Sequence, residues 1–321
     1  MNRRRYLAGW AAALAAFAGC LDGDGNGEAN VDDRTGERAL SRGIGQLNDA
    51  AIALQIEDEL AEPESVDFDP DTPRTHLSTA RDHLETAEAE LEDERAGDID
   101  ELRRYATVLE AAIDVAGTVT DEALFEEIER IETALADGGD EHDRETTTEL
   151  LDDRIEALET AGDRLTDAKA AIEAIDEGRY ESLETVDLTD VESGVSTLEA
   201  VVISQSALAS GYDATLEGDD DLDRGRAYAD DGSHGDAEAA FLDAKASFET
   251  ATETFEGGSD DAPDGLEGYF ETALCRSNHL TDAAANFANA SAAADDGDVV
   301  AAGQYRDDAE DALDAAASCG E

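Results

Sequence analysis

From residue 40 onward, apolar side chains recur every three or four positions, and no stretch alternates convincingly between apolar and polar. That period belongs to an amphipathic helix and leaves no sheet to build on. Leu40, Ile44, Leu47, Ala51 and Leu54 form a first stripe, and Leu77, Ala80, Leu84, Ala87 and Leu91 a second. Ile99 to Ala116, Leu124 to Leu135, Leu151 to Ile175 and Leu188 to Tyr212 continue the pattern. Local signals divide it. Thr72-Pro73 reads as an N-cap and first helical residue, Gly97-Asp98 as a stop and a new cap, and Gly117, Gly138-Gly139, Gly178 and Gly218 as further stops. The stripes occupy about two positions in seven, so the expected fold is all-α, an antiparallel helical bundle or a short stack of helical hairpins with polar faces outward.

Those polar faces are acidic. The 321 residues hold 83 Asp+Glu against 22 Lys+Arg, a formal net charge of −61. Nucleic acid is excluded as an unaided partner, because phosphate binding needs a basic surface. A polybasic membrane contact is excluded for the same reason. Lys169 and Lys245 are the only lysines, and the apolar share is mostly alanine. In dilute buffer such a chain repels itself. In multimolar salt the Debye length falls to about 3 Å and the repulsion becomes short-ranged. Acid excess, scarce lysine and small apolar side chains together resemble proteins of salt-loving archaea, so the acidity reads as solvation chemistry.

The N-terminal residues carry an address. Arg3-Arg4-Arg5-Tyr6-Leu7 resembles a twin-arginine export motif, with Arg3, Arg4, Tyr6 and Leu7 at its defining positions. A ten-residue apolar run, Ala8 to Phe17, follows and is too short to span a bilayer of roughly 30 Å. It ends in Phe17-Ala18-Gly19-Cys20, which resembles a lipobox, with Phe17 where an aliphatic residue is usual. The resemblance to haloarchaeal twin-arginine-exported surface lipoproteins implies cleavage before Cys20, diacylglycerol on its sulfur, and a protein held by lipid on the extracellular face of the cell membrane. The expected organisation is a signal peptide over 1–19, a flexible acidic tether over 20–36 and a helical domain over 37–256. A turn-rich linker over 257–265 and a C-terminal helical hairpin over 266–321, packed on or following the main domain, complete it.

Within the tether, Asp22, Asp24, Asn26, Gly27 and Asp33 match positions of a calcium-binding loop. Its last ligand position is Asp instead of the longer Glu, position 8 is Ala29, and no entering helix fits between Cys20 and Asp22. No metal is therefore expected there. Residues 218–251 resemble one tetratricopeptide repeat: Gly225, Tyr228, Gly232, Ala237, Phe241 and Ala244 fall at its small and aromatic positions. The resemblance implies a helical hairpin with Tyr228 and Phe241 between its helices, although Arg224 and Glu249 replace the family's leucine and proline.

The remaining cysteines, Cys275 and Cys319, form an even pair in a chain expected outside the cell. They lie nearly equidistant from the turn between the last two predicted helices, centred near residue 296.5. Antiparallel helices place such positions side by side, so a disulfide is expected. The five histidines, 76, 83, 142, 234 and 279, show no metalloprotease spacing, and no nucleophile elbow, phosphate loop or dinucleotide fingerprint is present. No catalytic residue and no cofactor are expected. The sequence points to a non-enzymatic, lipid-anchored cell-surface protein that binds or organises another envelope protein. A ligand-binding or catalytic lipoprotein with a pocket between helices is the alternative.

Overall fold

The structure, a computed structural model, describes residues 31–54, 66, 68–91, 93–121, 141–183, 185–260 and 262–320. Among them are nine α-helices and no strand: α1 Val31–Ala53, α2 Asp71–Glu90, α3 Ala96–Val119, α4 Glu141–Glu173, α5 Glu177–Glu181, α6 Leu188–Asp230, α7 His234–Ser259, α8 Asp264–Asp295 and α9 Val299–Ala317. The fold is all-α, a helical bundle extended by stacked hairpins. The predicted stripe Leu124, Ile128, Ile131 and Leu135 lies outside the described residues.

Three apolar cores follow one another along the molecule. The first joins α1, α2 and one face of α3 through Leu47, Leu84, Leu102 and Ile113, with Tyr180 edge-on to Tyr105 at 5.3 Å between ring centroids. Burial pushes both phenols above their ordinary range, which keeps them uncharged. The second uses the other face of α3, through Val108, Val115 and Val119, against Leu158, Leu165, Val201 and Tyr212. The third unites the end of α6 with α7, α8 and α9 through Leu222, Phe248, Ala284 and Ala309. Because α3 serves two cores, 13 of its 24 residues are buried, far more than a two-in-seven stripe allows.

Cations join the helices. Arg81 grips Glu110 with two bonds of 2.9 and 2.7 Å, and Arg103 grips Glu88 in the same way, each tying α2 to α3. The Glu110 and Glu88 carboxyls are thereby held below the usual carboxylate range, chiefly by hydrogen bonds from their arginines. Asp114 on α3 accepts from Arg74 of α2 at 2.8 Å and Arg164 of α4 at 2.6 Å. Forked guanidinium groups suit such bidentate pairing better than lysine does.

Several helix boundaries differ from those predicted. The segment expected as tether up to residue 36 is helical from Val31, and Gly36 packs on Leu91, whose Cγ a Cβ would meet at 2.6 Å. Pro70, not Thr72, is the N-cap of α2, and the Asp69 carboxylate before it accepts from the Asp71 N–H and the Thr72 hydroxyl at 3.0 and 2.7 Å. Asp98 lies inside the first turn of α3 and holds Arg95 and Arg179 instead of capping. The linker expected over 257–265 shrinks to residues 260–263, because Gly257 and Gly258 remain in α7. Gly258 stands so close to α6 that an added Cβ would meet that of Ala207 at 2.2 Å. The C-terminal hairpin packs on the rest of the molecule, since Leu266, Phe270 and Ala273 enter the second core.

The largest departure is α6, which passes through Gly218 without a break and reaches 43 residues, about 65 Å. Its glycines work in packing. A Cβ at Gly211, Gly218 or Gly225 would meet the rings of Phe255, Phe248 and Phe241 at 2.3, 2.6 and 2.6 Å respectively. Each glycine and its phenylalanine are equidistant in sequence from Ser233, the residue before α7. Every second turn of α6 thus offers a hollow to one ring of the antiparallel α7. The predicted repeat-like hairpin is part of this longer seam. Gly225, Ala237, Phe241 and Ala244 are buried, and Gly232 makes the turn at φ +75°. Tyr228 does not fill the seam; it is 38% exposed, because the helix registry that seats Phe241 turns Tyr228 outward. Helices of 43 and 26 residues also exceed a 34-residue two-helix unit, so no tetratricopeptide array is built.

Candidate functional site

Two turns, Asp231–Ser233 and Asp296–Asp298, bring the ends of α6 and α8 and the beginnings of α7 and α9 to one end of the molecule. Gly232 and Gly297 adopt φ of +75° and +79° there, a region other residues avoid. Between the four helix ends opens a cavity of about 350 Å³, lined by Arg226, His234, Phe241, Phe287, Ser291 and Arg306. Phe241 and Phe287 stack with ring centroids 5.2 Å apart and form an aromatic floor. The Arg226 guanidinium lies 5.5 Å from the Phe287 centroid and donates to Asp223 at 2.9 Å. Arg306 makes no ion pair among the described residues, in a chain where acids outnumber bases almost four to one. Asp230 and Glu310 add carboxylates to the wall. Ser233 does not cap α7 with its side chain, so the first-turn N–H groups add partial positive charge at the same end. Around it Val299 and Val300 are 80% and 73% exposed, and Tyr228 and Tyr305 each 38%.

No family model, curated protein or solved structure matches this chain. Its chemistry rests on its own geometry. Among the described residues no histidine hydrogen-bonds to a serine, a cysteine or a carboxylate, the pairing that activates a nucleophile. His76 instead pairs with Gln46 at 3.0 Å. A second cavity, about 500 Å³, is lined by Arg74, Asp114, Arg154 and Arg164. Its three arginines are balanced by Asp114, Asp121 and Asp153 in the same lining; Asp114 holds two of the arginines, and Arg154 donates to the Thr118 carbonyl at 3.3 Å.

The predicted site residues separate into two groups. Arg3, Arg4, Tyr6, Leu7, Cys20, Asp22, Asp24 and Asn26 lie outside the described residues, as does the side chain of Asp33. Cys275 and Cys319 meet in a disulfide with their Cα atoms 5.9 Å apart. Beside it stands His279, one turn along α8 from Cys275. The Cys-to-His spacing of four between Cys275 and His279 is the sequence signal for this grouping, which histidine-to-histidine spacings do not contain. Arg226, Arg306 and Phe287 had no local signal at all, since three different helices supply them. No helix among the described residues is long and apolar enough to cross a membrane.

Proposed function

We propose that this chain is a non-enzymatic lipoprotein of the cell surface in high salt, anchored through Cys20, that holds another envelope protein at its membrane-distal end. The observation that carries the reading is the placement of the cavity at the opposite end of the long axis from the start of α1. Glu37 near that start pairs with Arg95 at 3.0 Å, and Arg179 of α5 pairs with Asp98 at 2.8 Å, which puts the entry of the chain beside the beginning of α3. Gln205 of α6 donates to the Val119 carbonyl at 2.8 Å, so α6 runs alongside α3 in the same direction. It then continues to Asp230, past the end of α3. A lipid ahead of α1 therefore leaves the cavity facing away from the membrane. Arg306, without an ion pair among the described residues, and the aromatic floor suit a carboxylate next to an apolar group on the partner. The half-open volume of about 350 Å³ also supports a second reading, a small ligand of the same chemistry.

Photo-crosslinking on intact cells in multimolar salt tests the proposal. A crosslinker at Tyr305, beside the cavity, should give one discrete protein adduct that Arg306→Ala weakens. A crosslinker at Ile52, 59% exposed on α1, should give none. Adducts from Ile52 alone, or none from Tyr305, would overturn the assignment. Cys20→Ser should release the protein from the membrane fraction, and Arg3, Arg4→Lys should retain precursor inside the cell. Persistent membrane binding of the Cys20 variant would reject the anchor separately.

A further inference from the structure

Cys275, His279 and Cys319 place three donor atoms within 4.8 Å of one another. Cys275 and His279 are four residues apart on α8, so both side chains leave one face of that helix. Cys319 arrives from the turn that follows Ala317, the last residue of α9. We propose that in the reduced chain these three side chains bind one zinc ion, so that the C-terminal hairpin is closed either by a disulfide or by a metal.

The geometry is close to what zinc requires. Tetrahedral zinc holds sulfur at about 2.3 Å and nitrogen at about 2.0–2.1 Å, which sets neighbouring donors roughly 3.5–3.8 Å apart. Once the sulfur–sulfur bond opens, rotation of two cysteine side chains suffices to reach that spacing. Cys319 follows the C-cap of α9 in a turn, where its N–H still donates to the Ala316 carbonyl at 3.3 Å, so its backbone stays in place while its side chain turns. A cluster of two thiolates and a neutral imidazole cancels the double charge of zinc. The fourth position is left to water, since the described residues offer no fourth protein donor to the cluster. Thiolates select zinc over the hard cations that the exposed carboxylates attract.

The two closures exclude each other chemically. Opening the disulfide takes two electrons and two protons from a dithiol, which closes to its own disulfide. Zinc then displaces both thiol protons as it binds. In the reverse direction, an external disulfide accepts two electrons from the thiolates, takes up two protons to become two thiols, and the ion leaves.

The test uses the full chain carrying Cys20→Ser, which leaves only Cys275 and Cys319 as thiols. It is kept in multimolar NaCl, reduced with a phosphine, freed of reductant without oxygen, and equilibrated with zinc chloride against a chromophoric chelator. The reduced chain should retain one zinc and the oxidised chain none, and zinc should protect both cysteines from alkylation. His279→Ala should weaken binding by roughly 100-fold, the upper end of what losing a mere outer-shell partner costs. Helical circular dichroism is followed on the same samples. Where reduction melts the last hairpin, zinc should restore it. A folded reduced chain that retains no zinc, a melted one that zinc does not restore, or unchanged affinity after His279→Ala would overturn the proposal.

Discussion

Gly218→Ala adds one methyl group at the middle of the seam between α6 and α7. The new Cβ would stand 2.6, 2.7 and 2.9 Å from three ring carbons of Phe248. Carbon atoms rest at about 3.5–4.0 Å, so ring and helix must separate by about 1 Å. Phe248 has no exposed surface and is held on its far side by the third core, so the ring cannot swing into solvent. Overpacking of this kind costs about 1–3 kcal/mol. Against it stands the gain of replacing glycine inside a helix, about 1 kcal/mol. The net expectation is a loss of up to about 2 kcal/mol, or a fall in Tm of several degrees. Gly162 in α4 and Gly268 in α8 are the controls, since a Cβ there meets nothing within 4 Å. Alanine at either should raise stability by about 1 kcal/mol. Thermal unfolding followed by circular dichroism at fixed multimolar salt measures all three. Phe248→Leu in the Gly218→Ala background should recover part of the loss relative to Phe248→Leu alone. If Gly218→Ala stabilises as much as Gly268→Ala does, the interlocking of glycine hollows and phenylalanine rings is refuted.

Salt provides another test. Helical circular dichroism of the chain from Cys20 onward should collapse on dialysis to about 0.1 M NaCl, where repulsion reaches about 10 Å; helicity that survives there would refute the reading of the acidity as solvation. Asp213 offers a test by pH. Burial, reinforced by the neighbouring Asp152 carboxylate, holds its carboxyl above the usual range. Its ionised form is therefore disfavoured in the folded chain: it costs nothing below the unfolded value of about 3.9 and opposes folding as pH rises through the folded value. Asp213→Asn should lower the salt needed for folding at pH 7 and leave it unchanged at pH 3; equal shifts at both would refute the argument.

Helix type and most helix positions were legible because each stripe is a local property of the chain. The closeness of Cys275 and Cys319 was legible too, since it needs only a turn position and a helix rise. Gly218 was misread for a physical reason. A glycine in a helical pattern marks either an end or a close contact, and only the partner segment distinguishes them. The partner was in view as Phe241, Phe248 and Phe255, whose seven-residue spacing mirrors that of Gly211, Gly218 and Gly225 across the turn. Reading it requires aligning two segments head to tail, which no single-window rule does. The same reasoning explains Tyr228: spacing alone fits it to a repeat, while registry with α7 decides which side it faces. The cavity was illegible because Arg226, Phe241, Phe287 and Arg306 gather from four helices only after those helices have packed.

The uninterrupted α6 also bears on how the molecule comes apart. Its earlier turns, up to Tyr212, supply Val201, Leu208 and Tyr212 to the middle core, and its last turns supply Leu222 to the C-terminal one. A break anywhere along it would strip side chains from the cores on both sides, so neither can melt while its neighbour keeps its packing. Diluting the salt should therefore meet a single threshold for this half of the molecule, with hydrogen exchange in α4, α7 and α9 accelerating together.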